Sequence, residues 1–225
     1  MEIDFNDREI WYGSHYELSM LFEGRALETI AEIAHATLAR NPCFEGVWEE
    51  KSDISSGETS SYMDNKERLG AYGLIHIGED VRLGVYVCST CSEPNAMWLC
   101  LCLPVGMLEC AYDVDYPLHA VPNPWRVAVD EAFMSIADHV YQSVPFKIAL
   151  IGEEAAAMFD ESELESLSPD GDFGTYLLPR NSELLPSRCR VPMVRRPSGL
   201  VHIAGMYTGD DSKQRLNGTP HVSSS

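Results

Sequence analysis

The sequence predicts an α+β domain: a largely antiparallel sheet of about six strands with two main amphipathic helices packed on it. Three observations point there. Short stretches alternate apolar and polar residues, two longer stretches repeat apolar residues at helical spacing, and the mid-chain strands follow one another through tight turns in meander order. With 45% hydrophobic and 23% charged residues over 225 positions, the chain can bury a full core. A single domain is expected over residues 1–208, with an exposed polar loop at about 49–68 and a disordered tail at 209–225.

The first strand is read at 16–22, where Tyr16, Leu18, Met20 and Phe22 alternate onto one face. Gly24 breaks it, and a helix is expected over 25–40, with Leu27, Ile30, Ile33, Ala34 and Leu38 along one stripe. Asn41-Pro42 stops that helix, because the residue before proline is pushed out of the helical region. From Glu49 to Arg68 the chain is too polar to build a core. Strands follow at 71–77, 81–88 and 97–103, joined by Gly78-Glu79-Asp80 and Ser92-Glu93-Pro94-Asn95. The last of the three carries Met97, Leu99, Leu101 and Leu103 on one face and Trp98, Cys100 and Cys102 on the other, so it should lie centrally and be covered on both sides. A second helix starts at Asn123-Pro124 and buries Val129, Phe133, Ile136, Ala137 and Val140. A buried strand at 146–151 and a short one at 200–203 complete the set.

Charge narrows function more than any motif does. Asp plus Glu number 35 against 16 Lys plus Arg, a formal balance of −19. Such an excess repels nucleic acid and anionic membrane at long range, and it suits a protein that meets a basic protein partner. The first residues lack the basic and apolar regions of a signal peptide, no apolar run reaches the length of a membrane span, and the odd number of cysteines is not spread like a disulfide framework. A cytoplasmic protein with reduced thiols is expected, with most of Cys88, Cys91, Cys100, Cys102 and Cys110 buried as small apolar residues.

Candidate chemistry is sparse. Cys88-Ser89-Thr90-Cys91 has the spacing of a zinc knuckle, with Cys100 and Cys102 one strand later, but those two lie about 7 Å apart along one strand face and no second knuckle opposes the first. Asp113, Asp115 and His119 could ligate a divalent cation, and a metal-dependent enzyme using that stretch is the alternative function. Asp170-Gly171-Asp172 begins like a calcium loop and lacks the later ligands. No nucleophile elbow, phosphate loop, dinucleotide fingerprint or zinc-protease helix is present, so neither a catalytic residue nor a cofactor is assigned. Trp11-Tyr12-Gly13-Ser14-His15-Tyr16 is an aromatic cluster ahead of the first strand. Glu153, Glu154, Asp160, Glu161, Glu163, Glu165, Asp170 and Asp172 form a run with no Lys or Arg among them, the best candidate for a partner-steering surface.

Trp11-Tyr12-Gly13-Ser14-His15-Tyr16-Glu17-Leu18 and Phe146-Lys147-Ile148-Ala149-Leu150-Ile151-Gly152 resemble stretches in uncharacterised bacterial proteins. The acidic, compact, motif-poor whole is similar to immunity proteins of bacterial polymorphic toxin systems. That resemblance rests on under a tenth of the chain and supplies no site residue. It implies a cytosolic, non-enzymatic protein that binds and occludes a basic toxin.

Overall fold

The structure, a computed structural model, describes residues 3–24, 26–48, 70–116, 118, 123–167, 174–186 and 191–204. The expected polar loop and tail lie outside the described residues. In chain order the elements are β1 (His15–Glu23), α1 (Leu27–Leu38), β2 (Phe44–Trp48), β3 (Gly70–Ile77), β4 (Val81–Glu93), β5 (Ala96–Pro104), α2 (Val105–Glu109), α3 (Trp125–Ser143), β6 (Ile148–Glu153), α4 (Ala155–Met158), β7 (Thr175–Pro179), β8 (Met193–Arg195) and β9 (Leu200–Ile203). Short 3₁₀ turns at Arg8–Ile10 and Glu161–Ser166 complete the described set.

The strands form one sheet in the order β2-β3-β4-β5-β1-β6-β7-β9-β8, with every neighbouring pair antiparallel. The α+β class and the antiparallel sheet agree with the sequence reading, but the sheet has nine strands where about six are expected. The additional strands are β2, β7 and β8. Two of them border proline, at Pro179 and Pro192, and β8 is three residues long. Such segments carry little alternation of their own and become strands by pairing with a formed neighbour. The turn between β4 and β5 also comes later than the expected end of β4: Glu93 pairs with Ala96, so Pro94-Asn95 makes the reversal.

The sheet separates two cores. On one face α1 and α3 pack together against Leu18, Met20, Leu83, Val85, Val87, Leu99 and Leu101. Val129, Phe133, Ile136, Ala137 and Val140 are all buried there, as their spacing predicts. In α1 the buried row runs through Ala34 and Leu38, whereas Ile33, one position off that row, is 42% exposed. On the other face, Leu21, Trp98, Cys100, Ile148 and Leu150 are covered by Phe159, Leu164, Leu167, Leu184 and Val191. This second cover explains why β5 is apolar on both faces.

Two sets of polar contacts hold α3 in place. Asn123 does not cap α3 through its side chain. Instead its Oδ1 accepts from the Asp115 backbone N–H (2.9 Å) and the Trp125 indole (3.0 Å), while its Nδ2 donates to the carbonyls of Asp115 (3.0 Å) and Leu118 (3.3 Å). The residue thereby ties down the loop leading to α3. Arg196 Nε donates to Asp138 Oδ2 of α3 at 2.6 Å.

Truncating Phe133, which is fully buried, to Ala should cost about 3–5 kcal/mol and lower the urea midpoint accordingly. His35 should make stability depend on pH. Burial pushes its pKa down to about 4, against about 6.5 unfolded, so the unfolded chain binds the proton more readily between those values. The contribution is fully present above about pH 6.5 and is lost as pH falls towards 4. Urea unfolding at pH 7 and pH 4.5 should show a loss about 2–3 kcal/mol smaller in His35→Gln than in the parent.

Candidate functional site

One end of the sheet gathers the start of β1, the ends of β5 and β6, the start of β7 and the first turn of α3. A buried polar network anchors it. The Tyr16 hydroxyl donates to Asp130 Oδ1 at 2.6 Å, and Thr175 Oγ1 donates to Asp130 Oδ2 at 3.5 Å. Arg126 Nε donates to the Tyr16 oxygen at 3.4 Å and its Nη1 to the Leu118 carbonyl at 3.2 Å, with the guanidinium 5.6 Å from the Tyr16 ring centroid. All four network side chains, Tyr16, Arg126, Asp130 and Thr175, are buried, so the arrangement supports the surface above it and offers no accessible reactive group.

That surface is acidic and aromatic. Glu109, the last residue of α2, accepts hydrogen bonds from two tyrosines that are each 53% exposed: Tyr12, 97 residues away in sequence, and Tyr116, at 2.7 Å. Both phenols are held above their ordinary pKa. For Tyr12 the hydrogen bond to Glu109 is the main cause, and for Tyr116 it is partial burial, followed by its own hydrogen bond to Glu109 and by the charges of Glu109, Tyr12 and Glu153. Nearby, Ser14 Oγ donates to Glu153 Oε1 at 2.8 Å. Residues 7–16, 105–116 and 153–154 contribute two, three and two carboxylates, seven in all, against a single Arg, Arg8. Trp11, in contrast to Tyr12, is buried, with its ring edge-on to Tyr72 and Tyr86 at 5.2 and 5.1 Å.

The described members of the acidic run, Glu153, Glu154, Asp160 and Glu161, do not gather into one patch. Glu153 and Glu154 sit at the tyrosine end. Asp160 caps the second 3₁₀ turn by accepting from the Ser162 backbone N–H at 2.9 Å, and this bond holds its carboxyl below the usual range. Glu161 is paired with Lys147 (2.5 Å), which also holds Glu23 (2.9 Å) at the far end of β1. Glu163 and Glu165 belong to the same turn, whose Leu164 is buried in the second core, and their side chains lie outside the described set. Asp170 and Asp172 lie outside the described residues.

Asp113 and Asp115 are exposed on the loop after α2, and His119 lies outside the described residues. Among the described residues no group of three or more His, Cys, Asp or Glu side chains is placed to hold a metal ion. The cysteine expectation needs correction: Cys100 is buried, Cys88, Cys102 and Cys110 are half-buried, and Cys91 is exposed. The second-face cover is centred on Trp98, Leu21 and Ile148 and leaves β4 partly open, so apolar position in a strand did not guarantee burial. No disulfide joins the described cysteines. Also among the described residues, no helix is long and apolar enough to cross a membrane.

Sequence reasoning did not single out Glu109 or Tyr116. Nothing local marks a carboxylate at the end of a short apolar helix, and its pairing with Tyr12 exists only after β1 and β5 are aligned. Compared with protein families, curated proteins and solved structures, the chain matches none.

If Glu109 holds both phenols as described, Glu109→Gln should lower the apparent pKa of Tyr12 and Tyr116 together. Ultraviolet difference titration between pH 8 and 13 measures this, and an unchanged titration would show that the bridge is not formed in solution.

Proposed function

We propose that this chain is a non-enzymatic docking protein that occludes a basic surface of a protein partner, as a toxin immunity protein would. The observation that carries this reading is the Tyr12–Glu109–Tyr116 bridge, exposed in an acidic neighbourhood. A carboxylate offers about four lone-pair directions, so two phenols leave room for a Lys or Arg of the partner. The flanking rings add area at low entropic cost and a face that attracts cations. Tyrosine and its neighbours then serve as anchors, while the rim charges Glu153, Glu154, Asp113 and Asp115 act on encounter. Asp160 and Glu161 contribute less to this end, because one caps a turn and the other is already paired with Lys147.

The long-range share of such binding is screened over about 8–10 Å at ordinary ionic strength, so affinity should fall as salt rises. The test is capture from the native cell with the parent and with Tyr12→Ala/Tyr116→Ala, followed by binding kinetics on the identified partner. A basic partner retained by the parent should dissociate at least about tenfold faster from the double variant. Charge reversal at Glu153 and Glu154 should mainly slow association and flatten the salt dependence. An acidic partner, or equal dissociation from parent and double variant, overturns the assignment of this surface.

A further inference from the structure

On the second sheet face, away from the α1–α3 core, the register assembles a group of thiols that the docking reading does not use. Cys88 of β4 stands directly opposite Cys100 of β5, and Cys100 in turn stands opposite Ser19 of β1. Cys102, two residues along β5, faces Glu17 of β1 and donates to its Oε2 at 3.4 Å. Because side chains alternate, Cys91 falls on the other face of β4 even though it lies only three residues from Cys88. The cluster is therefore Cys88, Cys100 and Cys102, and it excludes the CxxC partner.

The three thiols are not equivalent. Glu17 is buried, and its Oε1 accepts from Ser19 Oγ (3.1 Å) and the Ala156 backbone N–H (2.8 Å), while its Oε2 takes the Cys102 proton contact. This arrangement keeps Cys102 protonated beside a negative charge. Cys100 is 6% exposed, whereas Cys88 is half-buried and open to a small reagent. His15 and Glu17 from β1, Cys100 and Cys102 from β5, Tyr72 from β3 and Tyr86 from β4 are the titratable groups on this part of the face.

We propose that Cys88, the more open of the two, is the peroxide-reactive cysteine and Cys100 its resolving thiol, forming a cross-strand disulfide. The Cys100 thiol directly opposite is the main cause that lowers the Cys88 pKa, and Cys88 together with burial raises that of Cys100. Directly opposed residues of an antiparallel pair have Cα atoms about 4.5–5.5 Å apart, within the span a disulfide requires. The diagonal Cys88–Cys102 pair is wider, at about 7–8 Å, so Cys100 is the partner. The co-reactant is a hydroperoxide. The Cys88 thiolate attacks the outer oxygen of hydrogen peroxide, the O–O bond breaks, and Cys88 sulfenic acid and hydroxide result. Cys100 sulfur then attacks the Cys88 sulfur, its proton goes to the hydroxide, and the sulfenic oxygen leaves as water with the proton it acquires from solvent. In sum, two thiols and one peroxide give one disulfide and two waters.

Cys91 provides an internal control, since it is the exposed cysteine of the same strand. The full-length reduced protein is treated with iodoacetamide at pH 6, then in a separate arm with one equivalent of hydrogen peroxide, and each is read by peptide mass spectrometry. At pH 6 Cys88 should be alkylated at least about tenfold faster than Cys91, because the facing Cys100 lowers the Cys88 pKa. Peroxide should yield a Cys88–Cys100 linked peptide. Cys100→Ser should instead accumulate a Cys88 sulfenic acid trapped by dimedone, and Cys91→Ser should leave the linked peptide unchanged. Faster alkylation of Cys91 than of Cys88, or peroxide products that lack the Cys88–Cys100 link in the parent, overturns the proposal.

Discussion

Everything in this sheet is organised around β1, which is hydrogen-bonded along both edges and buried on both faces. Its even positions, Tyr16, Leu18, Met20 and Phe22, are apolar or nearly so and meet the helices. Its odd positions put a carboxylate, Glu17, into the other face at 7% exposure. A buried charge is tolerated only when its lone pairs are occupied, and here a hydroxyl, a thiol and a backbone N–H occupy them. The last of these comes from Ala156 and ties the segment after β6 across the face. Glu154, held in the left-handed region at φ 46°, makes the reversal that brings the N–H there.

That crossing has consequences at both ends of the strand. Towards the start of β1, Glu153 and Glu154 are delivered to the end where Ser14, Tyr12 and Glu109 meet. Towards its finish, the same segment lays Phe159 edge-on against Trp98 at 6.0 Å, buries Leu164 and returns Glu161 to Lys147. One stretch of chain therefore supplies an acidic rim, an apolar cover and an internal ion pair. A run without cations in sequence is not a patch without cations in space.

Much of the fold is legible locally. Period-two alternation at Val81, Leu83, Val85 and Val87, double-sided apolarity in 97–103 and the α3 stripe from Val129 to Val140 are statements about which face must leave water, and the structure honours each of them. β2, β7 and β8 are not legible, because short segments, two of them bordering proline, gain their stability from a neighbour already in the sheet. Ile33 was misread for a related reason: a stripe is about 100° wide, and a residue at its border is placed by the partner helix.

The sequence by itself determined the class of the protein, its acidic field and the membership of its main core, because hydrophobic period and net charge are sums over neighbouring residues. Tertiary structure alone decided which side chains meet. Tyr12 reaches Glu109 across 97 positions, Cys88 faces Cys100 and not Cys91, and Glu161 finds Lys147. Each of these meetings depends on strand register or on the path of a crossing segment. A shift of one residue in register would turn the strand side chains among them, Cys88 and Cys100, to opposite faces, and the rows of contacts that resist that shift are spread over the whole sheet.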